Sequence, residues 1–457
     1  MEKTMLLQNP WWENPDRLNK DERVAEALSK VPPTLTVIDE TLPYKIILGP
    51  RQVGKTTKLK LSIRDLIYQK SIDPRSILYF SCEPLSGKKE LIDLLVTFDQ
   101  FTPNKKYLFL DELTSVKDWE QALKFFLDSP LKENKILVAT GSNALFLKHG
   151  TERMPGRNLS IEFDLPFTFR EYLMQFGSAS LRKTLGQAKL VFDSISSSTI
   201  ENTSKKLLPF LNEINSAFLV YTKTGGFLKS IYEYHETKKI QPSTYEIYVR
   251  WILGDLNSLG KNEQTFLGVM KGIVKNYSSA SSYLSIAKET NIPSHTTVND
   301  YLCMANDLLL TNTLNAVDLS KQSAVLRKEK KHYFTDPFLY SAFSGYVQGV
   351  YKDYSEDSLE HLVEGIVCEA LSRLGRRDVD HSHFLWYFRK RKETDFALKT
   401  DQGTVGIEVK WVEKAHISEF ENFFSFKERV LLTKNNYQFI GEKNFIMLPL
   451  PLFLAIV

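Results

Sequence analysis

The chain has 457 residues, more than one hydrophobic core usually supports, and its 42% hydrophobic and 25% charged content are those of a soluble globular protein. A net charge of +4 permits a nucleic-acid partner without requiring one. Three cysteines, Cys82, Cys303 and Cys368, stand far apart without nearby histidine pairs, which argues against a zinc site or a disulfide framework and for a reducing cytoplasm. The first residues lack the unbroken apolar core of a signal peptide, and 445-FIMLPLPLFLAIV-457 is too short to span a bilayer and carries two prolines, so no membrane role is expected.

Residues 1–43 read as a lead-in. Trp11 and Trp12 lie in NPWWENP and are expected to pack back on the body; ERVAEALSK has helical character and VPP stops it. From Tyr44 to Leu173, the runs KIIL, ILYFS, YLFL, KILVAT and LSIEFDL alternate with helical or polar segments. They predict a parallel α/β sheet covered on both faces.

The first of these strands leads into G-x-x-x-x-G-K-T, Gly49 to Thr56, and a helix follows. In that context the pattern is a phosphate-binding loop: glycines let backbone N–H groups point inward, and the helix presents its positive end to the anion. Gly49, Pro50, Arg51, Gln52, Val53, Gly54, Lys55, Thr56 and Thr57 are the expected nucleotide-binding residues. Lys55 would reach the β/γ-phosphates of ATP, and Thr56 would offer its hydroxyl to Mg²⁺. The run 107-YLFLDEL-113 puts two carboxylates at the carboxyl end of a strand, where α/β sheets bind ligands. Asp111 is expected to hold Mg²⁺ and Glu112 to polarise the attacking water. In 138-VATGSNA-144, Ser142 and Asn143 read either as a sensor of the γ-phosphate or as an N-cap. Arg157, on a Pro-Gly-Arg turn, reads either as an arginine reaching phosphate across a cleft or subunit boundary, or as a surface residue.

GPRQVGKTT, LFLDE, TGSNA, the PGR turn and LPFTFREYL, in that order, resemble the archaeal and bacterial AAA+-type (AAA_14-like) ATPases that carry a DUF4143-type C-terminal region; archaeal members have similar NPWWE leaders. The resemblance runs over nearly the whole chain. It implies an additional-strand P-loop core, a catalytic glutamate after the Walker B aspartate, and an arginine finger at Arg157. It also matches 217-AFLVYTKTGGFLKS-230 to a Gly-Gly-Phe element in a helical lid, with Leu228 where the family has proline.

Residues 174–245 read as that lid, with the Ser/Thr-rich patch SISSSTIENTSKK as a loop. Residues 246–345 read as a winged helix-turn-helix: SIAKET as a helix, NIPS as the turn, HTTVNDYLCMANDLLL as the second helix. His295, Thr296, Thr297 and Asn299 are residue types that contact bases or phosphates, and 327-RKEKKHYFTD-336 would form a basic wing. Such modules serve DNA contact, protein contact or structural bridging.

Residues 346–457 hold a second chemical signal. The helix 358-SLEHLVEGIVCEALSRL-374 precedes strands ending in ETDFAL and VGIEVKW. Two-residue spacing puts Glu408 and Lys410 on one face of a strand, with Asp395 in reach from its antiparallel neighbour. Two carboxylates would hold Mg²⁺ or Mn²⁺, and the lysine would orient or deprotonate the attacking water. The arrangement resembles the PD-(D/E)xK, restriction-endonuclease-like α/β core, with Glu364 matching its first acidic position and Glu369 as the alternative. Arg389-Lys390-Arg391-Lys392 would hold a phosphate backbone beside it.

Three functions are compatible with these readings. One is a cytoplasmic ATPase that binds DNA through a winged helix and cuts it with Asp395, Glu408 and Lys410. Another is a nucleotide-controlled switch that recruits DNA or protein and cuts nothing. The third is a motor in a homo-oligomeric ring, with Arg157 acting between subunits.

Overall fold

A computed structural model describes residues 2–30, 38–101, 104–142, 156–351, 359–374, 381–390, 393–415 and 426–457. They form two units, Met1–Leu165 and Pro166–Val457, so 166–173, expected with the ATPase core, group with the second unit instead.

In the first unit each apolar run becomes a strand: β1 (Tyr44–Leu48), β2 (Ile77–Ser81), β3 (Lys106–Asp111), β4 (Lys135–Gly141) and β5 (Leu159–Phe163). Their side chains alternate between two faces, and β1 to β4 are buried almost throughout, so both faces are covered. All pairings are parallel, in the order β2–β3–β4–β1–β5. β4 therefore lies between the P-loop strand and β3, which is the additional strand the resemblance implies. Leu59, Ile63 and Leu66 of the helix Lys55–Tyr68, and Leu91, Leu94 and Phe98 of Lys88–Asp99, are fully sequestered in the same core.

The lead-in does pack on the body. Trp12 stacks on Phe98 with ring centroids 6.0 Å apart, and its indole Nε1–H donates to the Ile77 carbonyl at 2.7 Å. Asn9 both donates to the Tyr79 carbonyl and accepts from the Tyr79 amide, at 2.9 and 2.7 Å, and Gln8 accepts from the Ser81 amide. These bonds satisfy the outer backbone edge of β2, the last strand of the sheet. ERVAEALS forms the helix Glu22–Ser29, capped by Asp21; the stop expected at VPP lies outside the described residues.

The second unit begins with helices Phe169–Phe176 and Ala179–Leu185. The patch expected as a loop contains instead the helix Ser197–Lys205, because Ser196 and Thr199 form a reciprocal capping box that short polar residues supply readily. Leu211–Thr224 and Leu228–Thr237 flank the Gly-Gly-Phe element. Gly225 has φ +58°, and a Cβ on Gly226 would meet the Phe167 carbonyl oxygen at 2.0 Å, so the chain can pass here only as glycine. The Gly226 amide donates to Asp336 at 2.7 Å and its carbonyl accepts from the Phe167 amide. Leu228 opens the following helix, a position that also suits proline.

Helices Pro242–Ser258, Glu263–Lys275, Tyr283–Thr290 and His295–Asp307 precede an antiparallel hairpin, β6 (Thr311–Asp318) and β7 (Ser323–Phe334). After the buried helices Pro337–Gln348 and Glu360–Leu374 come β8 (Leu385–Arg389), β9 (Glu393–Thr400), β10 (Gly403–Lys410), β11 (Glu428–Thr433), β12 (Gln438–Ile440) and β13 (Phe445–Pro449). The hairpin joins them in one sheet, β12–β13–β11–β10–β9–β8–β6–β7, through Ala316 of β6 opposite Tyr387 of β8. The terminal apolar stretch is β13 plus the helix Leu450–Ile456, all buried in this unit. No helix among the described residues is long and apolar enough to cross a membrane.

Candidate functional site

The phosphate loop turns on two left-handed residues, Gln52 at φ +68° and Gly54 at φ +99°, and Gly54 is the N-cap of the helix that starts at Lys55. Gly49 is obligatory for a different reason: a Cβ there would sit 1.8 Å from the Asp164 carbonyl oxygen. The buried Lys55 ammonium lies over the loop, donating to the carbonyls of Gly49 and Pro50 at 2.8 and 3.0 Å. Burial pulls its pKa below the ordinary lysine value, against the opposing pull of Glu112, Asp164 and Asp111.

Asp111 ends β3 and is the most heavily bonded carboxylate here. Its Oδ2 accepts from the Thr56 hydroxyl at 2.7 Å and the Tyr79 hydroxyl at 2.8 Å, and its Oδ1 from the Thr140 hydroxyl at 2.6 Å. Glu112 follows in the left-handed region, φ +52°, a conformation that costs a side-chain-bearing residue about 1 kcal/mol or more and is kept where surroundings enforce it. The enforcing groups are Thr140, whose Oγ1 accepts from the Glu112 amide at 3.0 Å, and Ser142, whose amide donates to Glu112 Oε2 at 3.2 Å. Thr56 and Asp111 thus present hydroxyl and carboxylate oxygens side by side, the hard donor set that suits Mg²⁺ beside a nucleotide.

Ser142, read as a sensor or an N-cap, meets Glu112 here. Ser142 acts through its backbone amide, Asn143 lies outside the described residues, and the hydroxyl that joins the two acidic residues is Thr140. Thr140 was available to sequence reasoning as the hydroxyl residue inside VATG; Tyr79, two residues from the end of β2, carried no such signal. Arg157 forms two bonds to Asp128.

In the second unit the structure brings together Glu364, Asp395, Glu408 and Lys410. Strands β9 and β10 are antiparallel, the Val409 amide donates to Asp395 Oδ2 at 3.0 Å, and Lys410 Nζ lies 3.1 Å from Glu408 Oε1. The alternative, Glu369, has its carboxylate bonded by Asn312 and Arg373.

The centre of the cluster is occupied by a residue assigned to the basic wing. Lys331 of β7 is fully buried, and its Nζ lies 2.9 Å from Glu364, 2.7 Å from Glu393 and 3.1 Å from Asp395. The Tyr333 hydroxyl also donates to Glu364. Burial pulls the Lys331 ammonium down, yet Asp395, Glu364 and Glu393 outweigh it and hold the group above its ordinary value. Burial, then Asp395, pushes the Glu364 carboxyl up to about 8 and raises Glu408 in the same direction. Glu408 Oε2 is buried without a hydrogen-bond partner among the described residues. No three His, Cys, Asp or Glu of the described residues stand as a set that could hold a metal ion. An ammonium thus stands between Glu364 and Asp395, two of the carboxylates expected to hold a metal.

The expected recognition helix is His295–Asp307, with Ser294 capping the Thr296 amide. His295 and Thr296 are exposed, and Thr297 and Asn299 half-buried. On β7, Arg327 and Lys328 are exposed and Lys330 lies over the Tyr283 ring at 4.9 Å, whereas Lys331 and His332 point inward. The expected wing is thus basic only in its outer half. Of the other basic run, Arg389 pairs with Glu329 at 3.2 Å, and Arg391 and Lys392 lie outside the described residues.

Residues 42–173 match the AAA domain family, so the first unit carries an AAA-type, P-loop ATPase-like domain. Residues 215–348 and 359–453 match two domains of unknown function, DUF8612 and DUF4143. The uncharacterized protein MJ1544 of Methanocaldococcus jannaschii is 31% identical over 188 residues, 40% of this chain and 35% of the relative. The match therefore spans about a third of the curated relative's length. Among solved structures, the Thermotoga maritima RuvB Holliday junction branch migration motor has a TM-score of 0.26 at 14% identity, covering 64% of this chain and 86% of that one. Cdc6p from Pyrobaculum aerophilum has a TM-score of 0.22 at 12% identity, covering 76% of this chain and 96% of that one.

Proposed function

We propose that the chain is an ATP-hydrolysing switch whose second unit binds DNA and, as folded, does not cut it. The observation that carries the ATPase reading is the continuous set of bonds from Thr56 through Asp111 and Thr140 to the Glu112 amide. It ties the residue following the P-loop lysine to the carboxylate best placed to act on water.

In this reading the Gly49–Thr57 loop and Lys55 hold the β/γ-phosphates, and Thr56 and Asp111 hold Mg²⁺. Mg²⁺, when bound, draws charge from the phosphate oxygens. Glu112, fixed through its amide by Thr140 and through Oε2 by Ser142, orients the attacking water and takes its proton. Lys55, buried and already donating to backbone oxygens, exchanges those partners for phosphate oxygens without crossing open solvent. Arg157 reaches a phosphate after leaving Asp128.

The finer division of the second unit follows the sequence: a lid over 174–245, a winged helix over 246–345 and a PD-(D/E)xK-like domain over 346–457. The turn between Tyr283–Thr290 and His295–Asp307, with a hairpin after it, supports the winged-helix reading. Exposed Arg327 and Lys328 supply phosphate contacts that the helix, which has no lysine or arginine, cannot. A helix, two antiparallel strand pairings and then the parallel pair β10–β11 support the nuclease-like reading of the fold. Lys331 among its carboxylates favours binding over cutting.

The test is a panel of duplex, single-stranded and branched DNA with Mg²⁺ or Mn²⁺, with and without ATP. Shifted mobility without cleavage, ATP-dependent in extent and weakened by Arg327→Glu with Lys328→Glu, is expected. Metal-dependent cleavage that Asp395→Ala and Lys410→Ala both abolish would replace this reading with a nuclease.

A further inference from the structure

The hairpin β6–β7 and the C-terminal sheet are separate in sequence, yet one lysine of the hairpin is spent entirely inside the C-terminal acidic centre. Lys331 has three carboxylate partners from two different elements, the helix Glu360–Leu374 and the strand β9, and its side chain is 1% exposed. The neighbouring side chains reinforce that placement: Tyr333, on the same face of β7, bonds Glu364, and the Tyr387 ring of β8 lies 5.9 Å from Nζ. A lysine at a wing surface would instead keep its ammonium in water and only its stem on the protein.

We infer that Lys331 is a built-in cation that takes the place of a divalent ion between Glu364, Glu393 and Asp395, excludes such an ion from the folded chain, and fastens the hairpin to the C-terminal sheet. This rests on the non-cutting reading given above and deepens it. A divalent ion needs several oxygens turned to one point at short distance, and here the oxygens of Glu364, Glu393 and Asp395 turn to a nitrogen that already donates to each. Bringing a cation of charge two beside that ammonium would place like charges together in a buried site, which such surroundings penalise heavily. Glu408 adds the complementary detail. Its Oε2 is buried and unpartnered while Oε1 meets Lys410, so the cluster holds an acceptor that the ammonium does not satisfy. With Lys331 withdrawn, by substitution or by outward movement of β7, the same residues become a divalent-cation site, and the centre changes from a fastening into a binding pocket.

The experiment measures Mn²⁺ binding to the full nucleotide-free chain by electron paramagnetic resonance and equilibrium dialysis. Every protein carries Asp111→Asn, so that the ATPase site contributes no metal signal. The parent of this series is expected to bind no Mn²⁺ up to about 1 mM. Lys331→Met is expected to gain one ion with a Kd of about 0.1 mM or tighter, within the range of carboxylate sites, and to lose it again with Asp395→Asn. Lys331→Arg is expected to remain free of metal. Mn²⁺ in the parent that disappears with Asp395→Asn would overturn the inference, as would a folded Lys331→Met chain that binds none. Should Lys331→Met not fold, the parent decides, bound metal at this centre refuting and its absence supporting. A chain that fails to shift DNA but follows this metal pattern would overturn the proposed function and leave Lys331's role standing.

Discussion

Arg157 and Asp128 meet as a parallel pair, Nε to Oδ1 at 2.7 Å and Nη2 to Oδ2 at 3.0 Å, the same fork a guanidinium offers to a phosphate. The hydrogen bond holds the Asp128 carboxyl below its usual range and raises the arginine. Asp128 therefore competes for the group that the proposed mechanism directs at nucleotide. Arg157→Ala should lower ATP turnover about 10³-fold if it acts as such a finger, and Asp128→Ala should raise turnover several-fold with little change in thermal stability. Mixing Arg157→Ala with Lys55→Ala protein should restore part of the hydrolysis if the arginine serves a neighbouring subunit. Arg157→Ala protein that turns over ATP at the parent rate would return the residue to the surface.

Glu112→Gln should retain ATP while turnover falls about 10²- to 10⁴-fold, the range of a lost general base. Steady-state hydrolysis and equilibrium nucleotide binding, measured on one preparation, separate the two effects. Undiminished turnover would remove Glu112 from its role.

Thr140 gives a sharper test because it touches neither phosphate nor water in the proposed scheme. Thr140→Val keeps the shape of the side chain and removes the hydroxyl that bonds Asp111 and receives the Glu112 amide. Turnover should drop about tenfold or more, as expected for a positioning bond worth about 1.5 kcal/mol, while ATP affinity changes little. A variant that loses affinity and turnover together would mark Thr140 as part of the binding surface instead.

His332 sets an acid limit on the second unit. Burial, with Lys330 nearby, lowers its pKa from 6.5 to about 3, and the ring bonds Thr313 through Nδ1 at 3.0 Å. Between those two values the unfolded chain binds the proton and the folded chain does not, so stability from this group is whole above pH 6.5 and declines as pH falls. The slope approaches about 1.4 kcal/mol per pH unit. Glu364, pushed up to about 8, acts with the opposite sign over the interval from its ordinary value to that one, which makes the difference between variants the useful quantity. Denaturant unfolding at pH 7 and pH 5 should show the parent losing more stability than His332→Gln. Equal losses would contradict the assignment.

Gly226→Ala would force a Cβ to within 2.0 Å of the Phe167 carbonyl oxygen. A destabilisation of about 3 kcal/mol is expected from such overpacking against backbone, seen as an earlier unfolding transition of the second unit. ATP binding by the first unit should persist, which distinguishes a packing fault from loss of the nucleotide site.

What the sequence disclosed and what it concealed divide along physical lines. β1 to β5, the P-loop and the Asp111–Glu112 pair were legible because each is a local pattern: a run of apolar residues, a glycine spacing, a strand ending in two acids. The approach of Asp395, Glu364, Glu408 and Lys410 was legible through strand alternation and the family resemblance. Lys331 was not, because nothing in RKEKKHYF distinguishes the one lysine that turns inward; Glu364, Glu393 and Asp395 select it, and they are distant in the chain. Tyr79 was hidden for the same reason, its hydroxyl being directed by a carboxylate on the next strand. The 197–205 helix was missed because serine and threonine favour loops on average, whereas at Ser196 and Thr199 they start a helix.

The bonding of Asn9, Gln8 and Trp12 to β2 bears on how the protein can be handled and on how it behaves while being synthesised. Those side chains do for β2 what a further strand would do. A shortened chain beginning at Tyr44 would retain every nucleotide-binding residue yet leave a row of open amides and carbonyls along an apolar strand, an invitation to self-association. Its fault would be poor solubility and not poor chemistry, and inactive aggregates from such a truncation would say nothing against the ATPase. The lead-in comes before β2 in the chain, so it is in effect an edge guard made before the edge it protects.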